Sequence, residues 1–145
     1  MRAERVLLLP TAAELTGTPY TEARTGAEAA VAEAGGQVLG GDDAPHGDGT
    51  ATALAVLKPI SPDALEAALE ANPDLSWVQL PFAGVEPYIP LFQARPHITW
   101  TSAKGIYAPP VAEHALALTL ALLRHLPERV RATSWGEEKE IWSGP

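Results

Sequence analysis

The chain has 145 residues, 46% of them hydrophobic and 19% charged, which suits one ordinary buried core and is too apolar for a disordered chain. Its formal net charge of -8 opposes nucleic acid and anionic membrane surfaces, and the Arg124, Arg129, Arg131 cluster is offset by Glu128, Glu137, Glu138 and Glu140. With no cysteine, disulfides, thiolate metal sites and cysteine nucleophiles are excluded.

Arg5 to Leu9 predicts a buried strand, because Val6, Leu7, Leu8 and Leu9 run apolar without alternation and Pro10 ends the ladder. That run is too short for the core of a signal peptide, so a cytoplasmic location is expected. Thr21 to Ala34 is rich in alanine and glutamate, a helical composition stopped by Gly35 and Gly36, and Gln37 to Leu39 follows as a short strand. Gly40 to Thr50 gathers glycine, aspartate and proline and reads as a mobile surface loop.

Ala53 to Leu57 is the third strand. Ser61, Pro62 and Asp63 then start a helix, with a capping hydroxyl, a ring that presets φ and a carboxylate at the positive end, and Asn72 with Pro73 stops it. Trp77 to Leu80 predicts the fourth strand, Val85 to Phe92 a short helix interrupted by proline, and Ile98 to Thr101 the fifth strand. Strands alternating with crossover helices predict a flavodoxin-like, doubly wound α/β domain with a parallel five-stranded sheet, spanning residues 1–110.

The last long element follows Pro109 and Pro110 and reads VAEHALALTLALLRHL, apolar on nearly every face from Ala115 to Leu123. Its uncharged length is about half the ~20 residues a bilayer crossing needs, so no membrane is expected. A helix without a polar face calls for burial all round, which in so small a domain points to a second domain or a second subunit.

A metal site is weighed on His46, His97, His114 and His125 and rejected on spacing. His114 and His125, read on one helix, would stand ~16 Å apart along its axis. The glycines from Gly35 to Gly49 match neither G-x-G-x-x-G nor a Walker lysine. A phosphotransfer receiver needs carboxylates after the first and third strands, where this chain has Pro10 and Thr11, then Lys58 and Pro59.

Two loops remain at carboxyl ends of strands, where open α/β sheets bind ligands. Pro81-Phe82-Ala83-Gly84-Val85-Glu86 joins a strand to a helix start and sets a glycine where backbone can approach an anion, although on spacing alone an ordinary tight turn accounts for it better. Thr101 to Pro110 offers a hydroxyl, the Lys104 ammonium and the Tyr107 phenol, which taken singly are a solvated charge and a packed ring with a wet tip.

Together, WVQLPFAGVEPYIPLF at Trp77 to Phe92 and ITWTSAKGIYAPPVAEHALALTLALLR at Ile98 to Arg124 resemble the N-terminal domain of the D-isomer-specific 2-hydroxyacid dehydrogenases. The family's "GVD" turn stands here as Gly84-Val85-Glu86 and its "VAEH" helix start as Val111 to His114; the first half of the chain matches by topology alone. The resemblance implies that the amides of Ala83, Gly84 and Val85 hold the carboxylate of a small 2-oxo acid such as glyoxylate or hydroxypyruvate, and that Lys104 to Tyr107 line the cleft. It further implies an interdomain helix over residues 111–135 that forms a homodimer through Val111 to Leu126, with Val111 the one cofactor contact in this chain.

NAD or NADP, and the family's catalytic arginine, glutamate and histidine, would belong to a C-terminal cofactor domain beyond Pro145, toward which residues 136–145 read as a linker. On this reading the 145 residues hold no catalytic residue, bind no cofactor and have no dehydrogenase activity of their own. The chain departs from the family pattern at Glu86, usually aspartate, at Ser102, asparagine in many members, and at Tyr107, often histidine. These departures bear on specificity. The alternative is a standalone flavodoxin-like module that uses the Val111 to Leu126 helix for self-association or partner binding.

Overall fold

The computed structural model describes residues 3–134. Five strands, β1 (Arg5–Leu9), β2 (Gln37–Leu39), β3 (Ala53–Val56), β4 (Trp77–Leu80) and β5 (Thr99–Ser102), form one sheet in the order β2-β1-β3-β4-β5. Every pairing is parallel, with Leu7 opposite Leu39 and Leu54, Leu54 opposite Val78, and Leu80 opposite Ser102. The helices of this part are α1 (Ala12–Leu15), α2 (Tyr20–Glu33), α3 (Pro62–Ala71) and α4 (Ile89–Ala94), the last preceded by a 3₁₀ turn at Glu86–Tyr88. This is the flavodoxin-like, doubly wound α/β arrangement, and the chain direction reverses across the sheet between β1 and β3.

The continuous apolar run of β1 is explained by burial on both faces. Leu7 and Leu9 join Leu54, Val56, Val78 and Leu80 against Leu65, Ala68 and Leu69 of α3 and Leu91 of α4. Val6 and Leu8 turn the other way, with Ala53, against Ala27 and Val31 of α2. By the same alternation Trp77, Gln79, Thr99 and Thr101 face the α2 side of β4 and β5, where Trp77 stays 37% exposed. There the Trp77 indole donates to the Thr101 hydroxyl at 2.9 Å, and that hydroxyl donates to the Gln79 side-chain carbonyl at 2.7 Å.

Local chemistry sets the helix ends. Ser61 caps α3 by accepting from the Ala64 amide at 3.2 Å, with Pro62 in the first turn. Thr11 and Glu14 form a reciprocal capping box that starts α1, a helix the composition does not announce. Arg24 of α2 is buried and donates to the carbonyls of Leu8 at 3.1 Å and Pro10 at 2.7 Å, across the end of β1.

The Gly40–Thr50 segment is a surface loop, as its composition predicts, and side chains at both its ends tie it to its neighbours. Asp42 accepts from the Ala13 amide at 3.2 Å, and Asp48 pairs with Arg5 at 3.0 Å. The Asn72 side chain, 1% exposed, donates to the carbonyls of His46 at 2.6 Å and Ala68 at 2.8 Å and accepts from the Ala51 amide at 3.3 Å. Gly40 has φ +83° and a Cβ there would stand 2.6 Å from a Leu7 methyl, so only glycine serves at that corner.

The chain divides between Lys104 and Gly105 into two compact units. The second holds α5 (Ala108–Leu123) and α6 (Leu126–Arg131). Pro109 and Pro110 lie inside the first turn of α5 instead of preceding it, since first-turn amides have no acceptor within the helix. The expected helix through Leu126 ends at Leu123: His125 takes the left-handed conformation, φ 51°, and the backbone starts again as α6. His114 and His125 are therefore not on one helix.

No residue of α5 is buried, so the burial that its apolar faces call for is not provided by the described residues. Among those residues no helix is long and apolar enough to cross a membrane. The expected linker at 136–145 lies outside the described residues.

Candidate functional site

The site is built where β3, β4 and β5 deliver their following loops side by side at the carboxyl edge of the sheet. Parallel pairing forces this placement, because adjacent strands end on the same edge about 4.8 Å apart. Three bonds tie the loops to their neighbours. The Leu57 amide donates to the Leu9 carbonyl at 2.7 Å, and the Ala103 amide to the Leu80 carbonyl at 3.1 Å. The buried Tyr88 donates its hydroxyl to the Ile60 carbonyl at 2.6 Å, and its ring centroid lies 6.0 Å from that of Phe82.

Within this rim the β4 loop presents exposed backbone at Ala83 and Gly84, while Val85 is half-buried against the core. The amides of Ala83, Gly84 and Val85 donate no hydrogen bond to any described residue. Three consecutive amides without an acceptor among the described residues, just ahead of a helical turn, are donors that an anionic oxygen can use. Gly84 does not take a left-handed φ; a Cβ there would stand 3.3 Å from a Glu86 carboxylate oxygen, a tight approach that the side chain would have to relieve. The Glu86 carboxylate therefore lies beside Gly84.

Lys104 stands two residues beyond β5, after the buried Ala103, and is exposed on the strand edge next to this loop. The sequence-derived set therefore separates into two groups. Ala83, Gly84, Val85 and Lys104 belong to the first unit and share its rim, whereas Tyr107 and Val111, both exposed, belong to the second. Sequence reasoning missed two contributors. Tyr88 is the strut that holds the β3 and β4 loops together, and Lys58, weighed only as a missing receiver carboxylate, stands half-buried at the end of the third strand.

The turn after β1, where a doubly wound fold would seat a dinucleotide pyrophosphate, does not fit one in this chain. Pro10 has no amide hydrogen, the Thr11 amide is taken by Glu14 at 2.8 Å, and the Ala13 amide is taken by Asp42. Two carboxylates already occupy the start of α1 and would repel phosphate. Elsewhere, among the described residues, no group of three His, Asp or Glu side chains is placed to hold a metal ion.

Comparisons of the chain with protein-family models, with curated proteins and with solved structures found no match. The residues themselves therefore carry the functional reading.

Proposed function

We propose that the chain is the substrate-side domain of a cytoplasmic D-2-hydroxyacid dehydrogenase. On this reading the β4 loop grips the carboxylate of a small 2-oxo acid, and Lys104 adds a positive charge beside it. Hydride transfer between NAD(P)H and the acid is then the work of the parent protein, whose second domain carries the cofactor and the acid–base groups. The chain's own residues do the binding: the Ala83, Gly84 and Val85 amides fix the carboxylate.

The observation that carries this reading is the set of three amides without protein acceptors in the same Gly84-Val85-Glu86 turn that carries the family resemblance. The test is an amide NMR titration of the chain with glyoxylate, together with an NADH oxidation assay on chain and parent. Saturable shifts at Ala83 to Val85, turnover by the parent and none by the chain alone are expected. Reduction of glyoxylate by the 145 residues alone, or a parent that reduces no 2-oxo acid, would overturn the proposal.

One observation favours a second reading, a self-association module. Leu116, Leu118, Leu120, Leu122 and Leu123 of α5 are all more than half exposed, an apolar surface that monomers rarely present to water. A homodimer through the Val111 to Leu126 region would cover it. Sedimentation equilibrium decides the point: self-association abolished by Leu116→Glu with Leu120→Glu supports the dimer, and a strict monomer at all concentrations removes it.

A further inference from the structure

The chain contains only three lysines, Lys58, Lys104 and Lys139. Of the two in the first unit, one follows β3 and the other follows β5, so they flank the β4 loop on both sides. The contrast with the arginines is informative. Arg5, Arg24 and Arg95 each pair with a carboxylate, Asp48 at 3.0 Å, Glu28 at 2.8 Å and Glu66 at 3.6 Å. Lys58 and Lys104 make no ion pair or hydrogen bond with any described residue.

Two cations without protein partners on one rim of an acidic chain give that edge a local positive field that draws an anion. Lys58 is the less exposed of the two residues, and its ammonium nitrogen is not itself buried, so a ligand can reach it. The nearby carboxylates are accounted for: Asp63 lies in the first turn of α3, and Glu86 in the 3₁₀ turn against Gly84.

We infer that the ligand is a dianion, with one carboxylate on the Ala83–Val85 amides beside Lys104 and a second anionic group on Lys58. This rests on the carboxylate-binding reading of the β4 loop and adds the ligand's second charge. The geometry suits a short molecule. β3 and β5 are two strand spacings apart, about 10 Å, which two lysine side chains narrow from either side.

The test is an NMR titration of the chain at low salt with three probes: D-lactate as monoanion, D-malate as dicarboxylate and phosphoglycolate as phosphate monoester. At least one dianion is expected to bind roughly five- to tenfold tighter than lactate, the gain of one partly buried charge-assisted contact. Which dianion gains identifies the second group as carboxylate or phosphate. Lys58→Gln should erase the gain, so that in that variant the better probe binds no tighter than lactate does, and Glu86→Gln should tighten all three. Should Lys58→Gln fail to fold, Lys58→Met keeps the aliphatic stem, and loss of the dianion's advantage at high salt in the unmodified chain gives an independent readout.

Equal binding of the three probes overturns the inference and leaves the carboxylate reading standing. A gain that survives Lys58 replacement also overturns it. No shift with any probe overturns both.

Discussion

Asn72→Ala tests the fastening of the β2–β3 connection most directly. The substitution removes two donated bonds, to the carbonyls of His46 and Ala68, and the acceptor of the Ala51 amide. Ala51 and Ala68 are both 0% exposed, so water cannot replace what they lose, whereas the His46 position is exposed and can be rehydrated. Counting one buried amide and one buried carbonyl left without a partner, at about 1–3 kcal/mol for the stronger case and less for the carbonyl, gives a loss of about 2–4 kcal/mol. Urea unfolding followed by circular dichroism at fixed pH reads this as a lower midpoint with unchanged slope.

Asn72→Asp separates hydrogen bonding from packing. It keeps the volume and the acceptor toward Ala51 but turns a second oxygen toward two carbonyls. It should be the worse variant at neutral pH and recover as acid protonates the carboxylate into a donor. A loss below about 1 kcal/mol for the alanine variant, or a neutral-pH aspartate variant as stable as the parent sequence, would refute the reasoning.

Three further expectations follow from the same geometry. Arg24→Met keeps the apolar stem but leaves the Leu8 and Pro10 carbonyls without their charged donor, so a loss of about 2–4 kcal/mol in urea unfolding is expected, against less than about 1 kcal/mol for Glu28→Ala on the exposed side of the same pair. Ser61→Ala removes the α3 cap and should cost about 1 kcal/mol by the same assay, with Ser61→Asp restoring it. The Thr50 hydroxyl, opposed by desolvation and aided by the Thr50 amide and the Arg5 guanidinium, holds the Asp48 carboxyl below its ordinary value of 3.8. Its contribution is therefore complete above pH 3.8 and is lost as pH falls through the lower folded value, so Asp48→Asn should lower stability at neutral pH and flatten the acid limb of stability against pH below about 4.

What was legible in the chain was what acts locally. The apolar run of β1 and the Ser61-Pro62 helix start sit on the residues where the fold puts them, because each states its own structure within a few positions. Asn72 is legible as a helix stop but not as a hub, since His46 and Ala51 lie 26 and 21 residues away. The Thr11 and Glu14 spacing is a capping signature, yet α1 is too short for any apolar period to support it. The break at His125 carries no glycine or asparagine to betray it.

The candidate site divides the same way. The β4 loop can be found from its turn chemistry, whereas the pairing state of Lys58 and Lys104 depends on which carboxylates the arginines have claimed elsewhere in three dimensions.

The tethers from Tyr88 to Ile60, from Leu57 to Leu9 and from Ala103 to Leu80 mount each loop of the carboxyl edge on the strand or loop beside it. Such a mounting suits retuning by replacement of a few outward side chains, because new chemistry can be bolted on without rebuilding the backbone beneath it.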